Sequence, residues 1–367
     1  MLILQKIRKF LQKKDIIFSG KRYGIDAMGA MAQGLFCTLL VGTILNTIGT
    51  QFNIGFLKAI IVTVGSGEGA MHYTIGGLAS ALVGPGIAVA IGFALKAPAL
   101  VLFSLIPVGF ATNAMGGAGG PLAVYVVAIV ACEFGKLVSK ETKIDILITP
   151  IVTTLVGIGL SCLIAAPIGA AASAVGNAVM WATNLQPLLM GILVSVIIGI
   201  ALTLPISSAA ICAALGLTGL AGGAAVAGCC AQMVGFAVMS FRENRWGGLV
   251  TQGIGTSMLQ MPNIIKNPRI WIPPTLASAI TGPIATCLFK LEMNGSPVSS
   301  GMGTCGLVGQ IGVYTGWVND PTKVITAFDW IGLVLICFVL PALLSWIFCL
   351  ILRKWGWIKE NDLKLEL

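Results

Sequence analysis

The stretch Trp330–Leu352 contains no charged residue and is followed directly by a basic segment. An α-helix needs about 20 apolar residues to cross the hydrocarbon core of a bilayer, so this stretch predicts a transmembrane helix. Similar apolar stretches recur along the chain, and charged residues make up only 10% of it. A soluble domain carries about 25% charged residues. The sequence therefore predicts an all-α polytopic membrane protein with about ten transmembrane helices, of which some are broken or re-entrant.

The basic residues lie beside the apolar stretches. Their clusters occupy residues 6–22, 136–143, 242–245 and 353–364. Lysine and arginine concentrate in the cytoplasmic loops of membrane proteins, so we expect both termini in the cytoplasm and no nucleic-acid partner. The chain divides into an amphipathic leader at 1–22, a single transmembrane domain at 23–352 and a cytoplasmic tail at 353–367.

Metal and cofactor chemistry is not indicated by the sequence. Ten cysteines are scattered through apolar segments without a CxxC pair, and the chain has one histidine. Zinc sites combine cysteine and histidine at short spacings, so we expect no metal and no cofactor. The sequence also lacks the phosphate-binding, nucleophile and zinc-protease motifs of soluble enzymes, so it offers no catalytic residues.

An internal repeat is indicated by an octet that occurs twice. Leu78–Pro85 and Leu276–Pro283 differ by two conservative changes, and flanking fragments match in the same order. We take residues of about 24–140 and 243–350 as pseudo-repeats, inverted in the membrane. Repeats with segments interrupted by glycine and proline are typical of secondary transporters. The stretch Gly247–Leu307 is rich in Gly, Pro, Ser and Thr, and predicts short helices, broken helices and re-entrant loops around a polar site.

The first candidate site pairs Glu68 with His72 in the segment Gly65–Tyr73. Charged groups within apolar segments need a functional reason. If the segment is helical, the two side chains share one face, where a carboxylate and an imidazole can bind sugar hydroxyls. The alternative is an ordinary loop at the membrane surface.

A second set of candidate substrate-binding residues is neutral and polar. Its members are Gln33, Asn113, Gln252, Asn263, Ser207, Ser208 and Thr304. Amides and hydroxyls can orient a small polar solute without burying a charge. The alternative is hydrogen bonding between helices, which contributes about 0.6 kcal/mol per pair in a membrane protein.

The chain also resembles a known family over most of its length, from about Tyr23 to Leu352. The resemblance rests on Pro205–Ala210, Ala213–Gly223, Arg242–Asn244, Gln252–Met258, Met261–Asn263, Trp271–Pro274 and Gly301–Thr304. Together they resemble the membrane (IIC-type) components of the bacterial sugar phosphotransferase system, in the perfringolysin-regulator-like branch.

The resemblance implies a homodimer of about ten spans in the bacterial plasma membrane. Such a permease moves a sugar or sugar derivative while separate, soluble IIA and IIB chains phosphorylate it, and is at most the membrane subunit of a sugar phosphotransferase. The alternative is a membrane regulator that senses a ligand with little or no transport.

Overall fold

The computed structural model describes residues 2–365, without the side chains of residues 2–4, 7, 8 and 68. Helix accounts for 78% of the chain, which confirms the all-α class. The α-helices, in chain order, are α1 (Leu2–Lys13), α2 (Ala27–Leu35), α3 (Val41–Gln51), α4 (Gly55–Lys58), α5 (Ile75–Ala81), α6 (Val83–Ala94), α7 (Ala99–Gly116), α8 (Gly120–Val138), α9 (Asp145–Thr183), α10 (Pro187–Thr203), α11 (Ser208–Ala214), α12 (Gly219–Met239), α13 (Phe241–Val250), α14 (Met261–Lys266), α15 (Ile272–Pro283), α16 (Pro297–Ser300), α17 (Val308–Asn319), α18 (Ala327–Val334) and α19 (Leu340–Lys354).

Short 3₁₀ turns and π-helical segments interrupt or extend these helices. The π-helical segments are Lys21–Asp26, Phe36–Leu40, Thr251–Gly255, Ile284–Leu288 and Leu335–Val339. The 3₁₀ turns are Gly67–Gly69, Gly117–Gly119, Ser257–Gln260, Pro268–Trp271 and Cys305–Leu307. Strands β1 (Val62–Val64) and β2 (Met71–Tyr73) pair in antiparallel register.

Five helical stretches within the described residues are long and apolar enough to cross a membrane. They are Lys21–Gln51, Ala99–Val138, Asp145–Thr183, Gly219–Met239 and Ala327–Lys354. The pair α5 and α6, bent by 55°, makes a sixth if it is one broken span. This number does not confirm the predicted ten.

The stretch Ala99–Val138 holds two helices. Gly117, with φ +51, ends α7, and Gly135 of α8 faces Val101 of α7, so the two helices run antiparallel. With 18 and 19 residues, each is about 27–28 Å long, close to the thickness of a hydrocarbon core of about 30 Å. One apolar stretch therefore contains two helices of membrane length.

The chain forms two compact units, residues 2–42 with 78–171 (unit 1) and residues 43–77 with 172–365 (unit 2). In unit 1, glycines allow α2, α6 and α7 to touch backbone to backbone. A Cβ on Gly34 would lie 2.5 Å from the Gly86 carbonyl oxygen, and one on Gly84 would lie 2.2 Å from the Gly109 carbonyl oxygen. In a bilayer, apolar burial does not drive helices together, because the lipid tails are as apolar as the side chains. Small residues at helix crossings let the backbones approach closely, and the resulting van der Waals packing stabilises the association.

Unit 2 is built around α12, in which 17 of the 21 residues are buried. Helices α10, α15 and α19 pack against it. Gly228 lies against the Ser195 carbonyl of α10, where an added Cβ would be 1.9 Å from the oxygen. This contact places the α10 and α12 backbones side by side.

The two copies of the octet differ in backbone conformation. Leu78–Pro85 is broken at Leu82, between α5 and α6, whereas Leu276–Pro283 lies in continuous α15. They share one feature, since the seventh residue of each is a glycine at a helix crossing, Gly84 against Gly109 and Gly282 against Gly191. The inverted repeat itself stays a prediction.

Candidate functional site

The segment after α13 is broken into short pieces, as the sequence predicts. Arg245, with φ 51 and ψ −149, interrupts α13, and Thr256 is extended between a π-helical turn and a 3₁₀ turn. The Thr256 hydroxyl accepts a hydrogen bond from the Met258 backbone N–H at 3.2 Å, which starts the 3₁₀ turn. Pro262 lies in the first turn of α14, where its missing N–H leaves no unmet donor.

This irregular backbone presents three buried amide side chains, the amide cluster: Gln252, Gln260 and Asn263, at 0%, 0% and 5% exposure. Gln260 is central. Its Nε2 donates to Gln252 Oε1 at 2.8 Å, and its Oε1 accepts from Asn263 Nδ2 at 2.8 Å. The structure thus brings together two predicted site residues, Gln252 and Asn263, through Gln260.

The remaining donors of the amide cluster bind inside unit 2. Gln252 Nε2 donates to Ser240 Oγ at 2.8 Å and to the Gly248 carbonyl at 3.0 Å. Gln260 Nε2 and Asn263 Nδ2 donate to the carbonyls of Leu363 and Lys364, at 3.0 and 2.8 Å. Each of the six amide N–H bonds therefore has a partner, and two of these partners are backbone carbonyls of the tail segment.

A second buried group, the Gln232 network, lies on α12 and its neighbours. Gln232 Oε1 accepts from Trp271 Nε1 at 2.9 Å and from the Thr203 hydroxyl at 3.3 Å. Its Nε2 donates to the Thr275 hydroxyl at 3.3 Å, and Thr203 shares a 2.8 Å hydrogen bond with Ser257. Sequence reasoning missed Gln232, although it is the one amide in the apolar helix Gly219–Met239.

The predicted serine and threonine residues lie around the segment 300–304. The Ser208 hydroxyl donates to the Gly301 carbonyl at 2.7 Å, and the Thr304 hydroxyl donates to Met233 Sδ at 3.6 Å. Ser207 is the N-cap of α11, where its hydroxyl accepts from the Ala210 N–H at 3.1 Å. The described hydrogen bonds of these three side chains are all to protein groups of unit 2.

The two predicted residues of unit 1 are not part of either network. Gln33 is exposed on α2, and Asn113 is half-buried on α7. Asn113 lies against Gly120, where an added Cβ would come within 2.5 Å of its Oδ1. No described contact joins Gln33 to Asn113.

Glu68 and His72 do not share a helix face, because their segment is a hairpin. His72 lies on β2 opposite Thr63, exposed, with its Nδ1 3.0 Å from the Thr63 hydroxyl. Glu68 is in the 3₁₀ turn Gly67–Gly69, and its side chain lies outside the described residues. The sequence did hold the signal, since Val62-Thr63-Val64 and Met71-His72-Tyr73 flank a glycine-rich turn.

Unit 1 contains a cluster of charged side chains that the sequence did not predict. Lys136, expected beside a cytoplasmic loop, is 1% exposed and pairs with Glu133 at 3.3 Å. Its Nζ also donates to the carbonyls of Asp15 and Leu95, at 2.7 and 3.0 Å. A hydrogen bond from Arg22 to the Asp15 carboxylate, at 2.7 Å, holds the pKa of that carboxyl below its usual range. The segment after α1 is thereby tied to α8.

Among the residues that the structure describes, no three His, Cys, Asp or Glu side chains lie close enough to hold a metal ion.

Several apolar helices of membrane length, with buried amides on broken backbone, define a multi-pass membrane protein of the transporter type. The sequence profile of the family described as "Phosphotransferase system, EIIC" matches residues 25–365. The chain belongs to this family, whose members are membrane permease components that work with IIA and IIB partners. No curated protein and no solved structure matches the chain.

Proposed function

We propose that this protein is the EIIC-type permease for a small neutral polar solute, a sugar or sugar derivative, bound at the amide cluster of unit 2. The observation that supports the proposal is the set of three buried amides, Gln252, Gln260 and Asn263, on backbone broken into a π-helical turn, a 3₁₀ turn and the short helix α14. Irregular backbone within a membrane protein is tolerated where protein or a polar cavity satisfies its N–H and C=O groups.

The chemistry of the cluster fits a polyol. An amide offers two N–H donors and an acceptor oxygen without a net charge, so it can bind hydroxyl groups that both donate and accept. Asn263 also lines a cavity of about 280 Å³ with Asn361 and Asp362, which gives the cluster an open side. In this proposal, sugar hydroxyl oxygens replace the carbonyls of Leu363 and Lys364 as acceptors.

Gln260→Leu tests this site, because it removes the central member of the cluster. Gln260 donates one of the two proposed hydrogen bonds to the solute, and a lost hydrogen bond changes the binding free energy by about 0.5–1.5 kcal/mol, so the affinity should fall about two- to tenfold. The measurement is thermal stabilisation of the purified protein by a panel of sugars and sugar acids, followed by uptake into vesicles with IIA, IIB and a phosphoryl donor. Gln186→Leu, at an exposed position, is the matched control.

The other proposed binding residues are separate arms of this experiment. The variants are Glu68→Gln, His72→Ala, Gln33→Leu, Asn113→Leu, Ser207→Ala, Ser208→Ala and Thr304→Val. Unchanged affinity in Gln260→Leu, with a loss in one of these arms, would move the site to that residue. Ligand binding without uptake would instead favour a sensing regulator, the role we associate with the perfringolysin-regulator-like branch.

We place the protein in the bacterial plasma membrane as a homodimer of about ten spans, with inverted repeats and both termini in the cytoplasm. The basic residues of α1 and of the tail segment support this orientation. Lys9 and Lys359 are both exposed, so a membrane-impermeant amine reagent should label them only after the cells are opened. Labelling of either lysine in intact cells would overturn the orientation.

A further inference from the structure

Two adjoining cavities of unit 2 share Arg242 and Arg353 in their walls. One, of about 700 Å³, is lined by basic side chains. The other, of about 290 Å³, is lined by apolar side chains. We call them the basic cavity and the apolar groove.

The basic cavity carries an excess of positive charge. Its basic side chains are Arg242, Arg245, Arg353, Lys359 and Lys364, and its acidic ones are Glu243 and Glu360. Glu243 is neutralised internally, because Arg353 pairs with it at 2.6 Å and leaves its side chain 3% exposed. Four exposed cations therefore face one exposed carboxylate, which suits a phosphate group.

The backbone at the mouth of this cavity is held in an unusual conformation. Arg245 has φ 51 and ψ −149, a region that a residue with a side chain rarely adopts. The break turns the chain between Arg242 and Trp246, so that Arg245 lines the basic cavity while Trp246 lines the apolar groove. Strained backbone of this kind concentrates at ligand sites.

The apolar groove is open and aromatic. Trp246 is 70% exposed and packs edge-on against Phe241, with ring centroids 5.3 Å apart. Trp346 and Leu350 of α19 form the other wall and are 48% and 43% exposed. Tryptophan is enriched where a membrane protein meets the headgroup region.

The two cavities lie at the end of a membrane-length helix. Arg353 is the penultimate residue of the apolar stretch Ala327–Lys354, and Lys359 and Lys364 follow it. A basic cavity of about 700 Å³ beside an apolar groove at this level matches an amphiphile with an anionic headgroup. A free phosphate would use the basic cavity alone.

We propose that these cavities bind an anionic phospholipid, with its phosphate in the basic cavity and an acyl chain in the apolar groove. Basic pockets between membrane helices recognise anionic headgroups through clustered lysine and arginine. Two of the cavity residues, Lys359 and Lys364, belong to the tail segment, so the lipid also fastens this segment to α13 and α19. The basic cavity shares Asn361 and Lys364 with the cavity beside Asn263, but the lipid proposal uses none of the three amides and stands without the proposed sugar function.

The test compares lipids on the full-length protein in a neutral detergent. Phosphatidylglycerol should raise the melting temperature and remain bound through purification, whereas phosphatidylcholine and inorganic phosphate at equal concentration should not. Arg242→Gln with Arg245→Gln should weaken phosphatidylglycerol retention roughly tenfold or more. Lys143→Gln with Lys354→Gln removes two exposed charges outside the cavities and should leave retention unchanged.

Trp246→Ala separates a lipid site from a phosphate site. It should weaken phosphatidylglycerol retention, since the groove loses its most exposed wall, and leave the melting temperature of lipid-free protein unchanged. Equal stabilisation by inorganic phosphate and phosphatidylglycerol, with no effect of Trp246→Ala, would overturn the proposal in favour of a plain phosphate site. Equal retention of both lipids would also overturn it.

Discussion

Lys136→Met should lower the stability of the protein by about 3–5 kcal/mol, because it leaves Glu133 buried without its counter-charge. Glu133 is 8% exposed and keeps only the Tyr23 hydroxyl as a hydrogen-bond donor, at 3.0 Å. The carbonyls of Asp15 and Leu95 lose the ammonium donor as well. The measurement is the melting temperature of the detergent-solubilised protein.

Two further variants make the result specific to the buried pair. Lys143→Met removes an exposed lysine of the same basic region and should leave the melting temperature unchanged. Lys136→Met combined with Glu133→Gln should recover much of the loss, since the glutamine carries no charge and still accepts from Tyr23. Equal melting temperatures for Lys136→Met and Lys143→Met would show that Lys136 is hydrated.

Gly228→Ala should destabilise unit 2 by about 3 kcal/mol, near the upper end for added volume in a packed core. The new methyl group would have to lie 1.9 Å from the Ser195 carbonyl oxygen, which is backbone and cannot move away by a rotamer change. Helices α10 and α12 would have to separate, so we expect a lower melting temperature and a protein that aggregates on purification.

Gly247→Ala is the matched control for this substitution. Gly247 is also helical, but nothing lies within 4 Å of a Cβ added there. Alanine in such a position should raise stability by about 0.4–1 kcal/mol, because it restricts the unfolded chain. If Gly228→Ala and Gly247→Ala melt alike, then α10 and α12 do not cross at Gly228.

Composition was enough to predict an all-helical membrane protein. The glycines and prolines of Gly247–Leu307 also predicted its broken helices, because these residues interrupt helical hydrogen bonding wherever they occur. Gln252 and Asn263 were both among the neutral polar candidates for substrate binding, and both lie in the amide cluster. These predictions depend only on composition and on neighbouring residues, so one sequence is enough to make them.

Other features depend on contacts that no local pattern encodes. The Trp271 indole donates a hydrogen bond to Gln232, which lies 39 positions earlier in the chain, and hydrophobic periodicity cannot indicate such a distant partner. Lys136 comes after an apolar stretch, which is the position of a lysine in a cytoplasmic loop. Its side chain is nevertheless buried, where it pairs with Asp15 and Glu133. Helices α7 and α8 form one apolar stretch, and the turn between them, Gly117–Gly119, includes Gly117 with a positive φ.

The π-helical segments carry a consequence for how the length of this chain can change. A π turn accommodates one residue more than an α turn, so deleting that residue restores an ordinary helix and leaves the following side chains on their original face. Thr251–Gly255 contains Gln252 and directly precedes the segment that carries Gln260 and Asn263. A single deletion in this turn would therefore change the backbone around Gln252 and leave Gln260 and Asn263 in place, so the chain can change in length here without any substitution among the three amides.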